Sequence, residues 1–507
     1  MRWHDREDAA ALLAGIAALR LGAERAAAID DELRERARQL WRLAREPLAL
    51  DDAPAWDADA VQDAVSGDLP EGFAAVRSGR PAAVEVFARC RDRIQRLDPT
   101  LHAWAALDLD AAERAPAAAA GATAQRPLAG VPVGIKDVFA TADLPTRAGS
   151  ALLADRLAAT ASDGAAGDGG GDAPAVARLR QAGAVVVGKT ACTELALNDP
   201  APTRNPWDPT RTPGGSSAGS AVAVATGMCL ASLDTQTAGD ILRPAAYNGV
   251  VGFKPTYGTI PRQGVVPVAW TIDTVGVQTR RVADAALLFA VLAGRPGVGG
   301  PDSWTWRGPP RLGLVRDPLL DRADAQAQSA TTQAVAVLRG AGAHTTEVWL
   351  DGALELAHAA HRVVTFCECA AVYEELLDRH AEQLGPKART LLELGAVTPA
   401  TGYLRAQRLR RRLAARLEAG LEGIDALVTP TATGPAPADL ATTGDSSLQL
   451  PWTFVGLPAI SLPVGLGETG MPLAVQLIGA LGVDERLLAV ARWCEQALNI
   501  DLHPPLA

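Results

Sequence analysis

From about residue 127 onward, short apolar runs alternate with glycine-rich turns and helical stretches. That alternation leaves few folds open. Residues 131–135, 184–188 and 250–253 read as strands, with a helix at 173–182 before the second. The Val and Ile runs lack polar alternation, which belongs to strands covered on both faces. Further strands are predicted at 311–315, 346–350, 426–428, 459–464 and 472–478, and helices at 326–341 and 484–497. The pattern predicts an α/β protein with a mixed central β-sheet covered on both faces by helices.

The flanking regions differ. Residues 8–48 read as Ala/Leu-rich helices and 49–70 as an Asp/Ala/Pro-rich linker. In the helical pattern from 69 to 98, Val84, Val86, Phe87 and Ile94 are spaced for one buried face. We therefore expect an arm and linker over 1–69 and one main domain over 70–507. Within that domain, residues 352–424 are almost wholly helical and are expected to cap the substrate pocket. The run at 161–171 is glycine-rich and reads as a flexible surface loop.

Composition excludes several functions. The chain has 507 residues, 48% hydrophobic and 21% charged, enough for a large core. Its net charge is −10 with no basic stripe, which disfavours a nucleic-acid partner. Arg408, Arg410, Arg411 and Arg412 read as one solvated helix face. The six cysteines show no zinc-type spacing, so we expect reduced thiols, no metal and no cofactor. The first residues lack a signal-peptide core, and no stretch of roughly 18 uncharged apolar residues is present. These features predict a cytoplasmic protein with no membrane contact.

The chemistry concentrates in four ordered motifs. The first is Leu128-Ala-Gly-Val-Pro-Val-Gly-Ile-Lys136-Asp137-Val-Phe139. The second runs from Gly183 to Thr190, with Thr193-Glu194 after it. The third is Asn205-Pro206-Trp207-Asp208, leading to Gly214-Gly215-Ser216-Ser217 and then Thr237-Ala238-Gly239-Asp240-Ile241. The fourth runs from Pro244 to Gly258. A C-terminal Gly456-Leu-Pro458-Ala-Ile-Ser461-Leu-Pro463 follows, with Gly470-Met-Pro472 and Gln476. This ordered set resembles the amidase signature family of serine amidohydrolases over about residues 70–497.

A serine hydroxyl is a weak nucleophile and needs a proton acceptor beside it. The resemblance implies a lysine base at Lys136 and a bridging serine at Ser216. It places the attacking serine at position 240, where this chain has Asp240. It also implies an oxyanion hole from backbone N–H groups around Thr237, Ala238, Gly239 and Asp240. Ser217, Gln236 and Arg243 are candidate pocket residues.

The departures from the family pattern cluster. Besides Asp240, Gln236 stands where aspartate is usual, Asp234 where glycine is usual, and an arginine comes one place late at Arg243. Ala238 replaces a glycine, which predicts a changed loop path. A carboxylate beside an ammonium favours both charged forms, so Asp240 and Lys136 are expected to act as an acid–base pair or as an ion pair that locks the loop. Thr237, Ser217 and Ser220 are the other hydroxyls that could stand in as nucleophile, and His358 and His361 read as surface or packing residues. Three functions follow: an enzyme on a small-molecule amide or related C–N compound, a non-hydrolytic acid–base enzyme, or an inactive homologue serving as a binding subunit. The N-terminal helices would be an arm or the contact of a homodimer.

Overall fold

The structure is a computed structural model and describes residues 6–45, 73, 80–110, 126–153, 171–295 and 305–505. The predicted 49–70 linker and most of the 161–171 loop lie outside them.

Among the described residues, eleven strands form one mixed sheet. In chain order they are β1 (Trp104–Leu107), β2 (Pro132–Lys136), β3 (Val185–Thr190), β4 (Ala231–Gln236), β5 (Val251–Lys254), β6 (Thr274–Thr279), β7 (Arg311–Arg316), β8 (His344–Trp349), β9 (Ala426–Pro430), β10 (Ala459–Leu466) and β11 (Pro472–Ile478). Their spatial order is β1-β3-β2-β4-β6-β5-β10-β11-β9-β7-β8.

The helices are α1 (Arg6–Leu21), α2 (Ala23–Ala28), α3 (Asp30–Arg45), α4 (Arg80–Leu101), α5 (Pro174–Gln181), α6 (Ala218–Ala225), α7 (Leu242–Asn248), α8 (Val282–Leu292), α9 (Ala325–Gly340), α10 (Ala353–Val372), α11 (Glu374–His380), α12 (Pro386–Ala396), α13 (Ala400–Ala419), α14 (Leu450–Val455) and α15 (Asp484–Leu498). Helices α6 and α7 touch each other and the central strands, while α8 and α9 each pack against α15 on the same sheet. Every residue of β2, β3, β4, β6 and β9 is buried, as a sheet sandwiched between helices requires.

Topology places the chemistry. Strands β2 and β4 are parallel neighbours, with Ile135 opposite Leu233. Their carboxyl ends therefore deliver Lys136 and the 235–241 segment to one edge of the sheet, where open α/β sheets bind ligands.

One expectation is corrected. Val84 is 44% exposed, and the buried face of α4 is carried by Val86, Phe87, Cys90 and Ile94. The 352–424 region is the helical layer α10–α13, and its first helix reaches the reactive loop directly.

The N-terminal helices lie on that layer. Leu13, Ile29, Leu33, Ala37 and Leu40 share a core with Ala357, Ala360, Val363 and Val397. In α3 the buried positions Leu33, Ala37 and Leu40 recur at helical spacing. Arg36, on the same face, is 1% exposed and donates to the Thr398 hydroxyl at 3.0 and 2.9 Å, with Phe366 under its guanidinium at 4.9 Å. Burial pulls its pKa down to about 10. Arg25 pairs with the buried Glu393 at 2.8 Å.

Candidate active site

Lys136 ends β2 with no exposure. Its Nζ lies 2.7 Å from Ser216 Oγ, 3.0 Å from Thr235 Oγ1 and 3.3 Å from the Thr235 carbonyl. The lysine and serine named from sequence are thus in direct contact. Ser216 follows a cis Gly215–Ser216 peptide. Gly214 has φ +85°, and a Cβ there would sit 2.9 Å from Pro244 Cα, so this turn requires glycine.

Asp240 is 8% exposed, and backbone N–H groups hold its carboxylate. Oδ2 accepts from Thr237 N at 2.9 Å and Ala238 N at 2.8 Å, and Oδ1 accepts from Ser216 N at 3.1 Å. Two of the four N–H groups expected to receive a substrate oxyanion, those of Thr237 and Ala238, are therefore occupied by a side chain of the same loop. Burial works to raise the Asp240 pKa. The nearby Lys136 and Arg243 charges, with the Ala238 and Thr237 N–H bonds, outweigh it and hold the carboxyl below the usual range.

The expected Lys136–Asp240 ion pair does not form among the described residues. The lysine spends its contacts on Ser216 and Thr235, and the aspartate spends its own on the backbone. Ala238 also differs from expectation. It is absent from the positive-φ residues, as is Gly239, so alanine is accommodated without strain. Glycine at 239 answers to space instead, because a Cβ there would lie 2.5 Å from Gln449 Oε1.

The other candidates have supporting places. Gln236 Oε1 accepts from Ile241 N at 2.9 Å and Leu242 N at 3.0 Å, and its Nε2 donates to Thr453 Oγ1 at 2.8 Å. It braces the loop from beneath. Arg243 donates to the Gly215 carbonyl at 2.7 Å and to Thr443 Oγ1 at 3.2 Å, joining the two glycine-rich segments. Ser217 donates its N–H to the Asp240 carbonyl at 3.3 Å, and its buried Oγ has no partner. Ser220 Oγ lies 2.6 Å from Thr190 Oγ1, turned toward β3.

Two site neighbours, His361 and Asp273, carried no signal of a site role in the sequence, and a third, Asp234, stood out only as a departure from the family pattern. His361, on α10 and 2% exposed, donates Nε2–H to the Thr237 carbonyl at 2.7 Å. Burial pushes its pKa down to about 3, so the ring is neutral at ordinary pH. The ring is thus not at the surface: it packs against Phe454 at 5.9 Å and holds the reactive loop as well. The Thr237–Ala238 peptide thus accepts from His361 at one end and donates to Asp240 at the other. Thr237 Oγ1 donates to Asp273 at 2.6 Å. Burial raises the Asp273 pKa to about 6 against that bond and two backbone N–H bonds. Asp234 is fully buried on β4, accepting from Ser232 Oγ at 2.6 Å and Gln278 Nε2 at 3.2 Å. Burial raises its pKa, opposed by the nearby Lys136 charge.

This constellation can be placed among known proteins. The amidase family profile matches residues 85–488. The chain belongs to the amidase family. A glutamyl-tRNA(Gln) amidotransferase subunit of Prochlorococcus marinus (strain MIT 9303) is 34% identical over 484 residues, covering 85% of this chain and 97% of that protein. A crystal structure of an amidase superposes with a TM-score of 0.74 at 33% identity, covering 85% of this chain and 99% of the other. A 6-aminohexanoate cyclic dimer hydrolase gives 0.71 at 26% identity, covering 86% and 97%.

Among the described residues, no His/Cys/Asp/Glu group is arranged to hold a metal ion. No described helix is long and apolar enough to cross a membrane.

Proposed function

We propose that this protein is an amidase-family enzyme of small-molecule C–N chemistry whose turnover does not pass through an acyl-serine. In this reading Asp240 stands at the position of the family's nucleophile. The observation that carries the reading is the carboxylate held by three N–H donors, Thr237, Ala238 and Ser216. A carboxylate in that place is a poor nucleophile, because its lone pairs are engaged and its negative charge is stabilised. It also fills the cradle that would stabilise a tetrahedral oxyanion. Lys136 and Ser216, 2.7 Å apart, supply a proton-transfer pair, and Asp240 supplies a fixed negative charge beside them. The 6-aminohexanoate cyclic dimer hydrolase supports a small-molecule substrate class for this fold.

A second reading is favoured by the name of the Prochlorococcus relative, which is one component of an amidotransferase. On it, the chain acts within a protein complex. Release of ammonia or amine by purified wild type, Asp240→Ser, Asp240→Ala and Lys136→Ala over a panel of simple amides tests the first reading. It requires a silent wild type and a gain with Asp240→Ser that Lys136→Ala removes. Hydrolysis by the wild type at ordinary amidase rates would reject it. The second reading requires a stable hetero-complex when the chain is purified from its own cells.

A further inference from the structure

A cavity of about 400 Å³ opens between the N-terminal arm, the turn before β6 and helices α10–α13. None of Lys136, Ser216 and Asp240 lines it. Its charged and aromatic walls are Trp270, Glu368, Glu374, Tyr403 and, from the arm, Arg20, with Thr398 and Cys367 beside them, while alanines and a glycine form much of the rest. The volume is within the range of small-molecule sites.

Glu368 is the unusual wall residue. It is 1% exposed, and every hydrogen bond it makes comes from a neutral donor. Thr271 gives its N–H at 2.9 Å and its hydroxyl at 2.6 Å, Tyr403 its hydroxyl at 2.9 Å, and Gln407 its amide at 3.3 Å. Among the described residues Glu368 has no ion pair. Arg410 is near enough to feel its charge, but that guanidinium lies over the rings of Phe454 at 5.4 Å and Tyr257 at 5.7 Å. Arg20 pairs with Glu374 at 3.0 Å, so those two wall charges cancel. Among the wall residues this leaves the Glu368 charge and two aromatic rings, one of them the 44% exposed Trp270, while the buried Arg36 guanidinium lies behind the Thr398 wall, spent on the Thr398 hydroxyl and the Phe366 ring.

We propose that this cavity binds a small organic cation, an alkyl- or arylammonium. Trp270 and Tyr403 would meet the ammonium through their π faces, which attract cations. Glu368 would supply the negative potential, and the alanine-rich walls would take the apolar body. The arm contributes Arg20 to one side of the cavity. The turn that carries Trp270 and Thr271 also carries Asp273, the acceptor for Thr237, so cavity and reactive loop share one support.

The test is calorimetric titration of the full chain with phenethylammonium, phenylethanol and phenylacetate, three probes of one shape and different charge. The proposal expects the ammonium to bind about tenfold or more tightly than the alcohol, and phenylacetate not to bind. Trp270→Ala and Glu368→Gln should each weaken ammonium binding by about tenfold. Glu368→Gln disturbs a buried network, so Trp270→Ala, at an exposed position, decides the matter if the first variant misfolds. No binding of the ammonium, equal binding of alcohol and ammonium, or unchanged binding by Trp270→Ala would overturn the proposal. The readout is binding, so it is independent of any turnover at Asp240.

Discussion

The two sides of the proposed reactive centre differ in how they use their polar groups. On one side Lys136, Ser216 and the turn at Gly214 keep the residue types that the family resemblance implies, and the lysine and serine are in contact. On the other side, the loop from Gln236 to Arg243 departs from the residue types that the resemblance implies and turns the Thr237 and Ala238 N–H groups onto its own Asp240 carboxylate. On the proposed reading the proton-transfer side keeps its residue types, while the Asp240 side departs from them and is tightly braced, by His361, Asp273, Gln236 and Thr453. The loop has been stabilised around a fixed anion.

Asp240→Ser puts this contrast under the greatest strain. If the Lys136 side is intact, amide hydrolysis should rise by about 100-fold or more over wild type, and Lys136→Ala in the same background should abolish the gain. No gain would mean that the lysine side is altered too.

Asp240→Ala probes the bracing itself. It leaves three backbone donors without their acceptor, and buried unmet donors cost about 1–3 kcal/mol each before water relieves them. We expect about 3 kcal/mol of lost stability by urea denaturation, with partial recovery in formate, whose carboxylate can enter the vacated place. Unchanged stability would show that the N–H cradle contributes little.

Lys254, at the end of β5, supplies a reference outside the loop. It is fully buried, and burial lowers its pKa to about 7 despite the nearby Asp484. Between pH 7 and about 10 the unfolded chain binds this proton and the folded chain does not. Wild-type stability should therefore rise with pH relative to Lys254→Met, by up to about 1.4 kcal/mol per pH unit. Equal slopes in the two proteins would contradict this.

The smallest effect expected is from His361→Asn, about 1 kcal/mol at pH 8 through loss of the bond to the Thr237 carbonyl. The ring pKa is lowered from 6.5 to about 3 by burial. The folded state therefore resists protonation, and wild type should lose stability relative to the variant as pH falls below 6.5. A pH-independent difference would place the ring in a less buried setting.

Much of this is legible in the sequence, for physical reasons. The apolar strands β2, β3, β10 and β11 announce themselves because they pack on both faces, and Lys136 and Ser216 sit in motifs whose spacing is rigid. Strand β4 gives no such signal, because Ser232, Asp234 and Gln236 point polar groups inward to a private hydrogen-bond network. Helix α7 is hidden in the reactive-loop motif. His361 reads as packing because nothing local distinguishes a buried helix histidine from one bonded to a distant carbonyl. The role of Asp240 stays open in the sequence for a related reason. Residue type tells that a charge enters the site, but whether lysine or backbone neutralises it depends on loop path, which only the three-dimensional arrangement fixes.

Whether any serine of this site is still an activated nucleophile can be asked by intact-mass spectrometry after exposure to a fluorophosphonate, which phosphonylates such serines. The expected result is an unlabelled wild type, one label on Asp240→Ser at position 240, and no label when Lys136→Ala is added. A labelled wild type, with the adduct on Ser216, Ser217 or another serine of the site, would contradict the reading of Asp240, because a working serine nucleophile would then survive beside it.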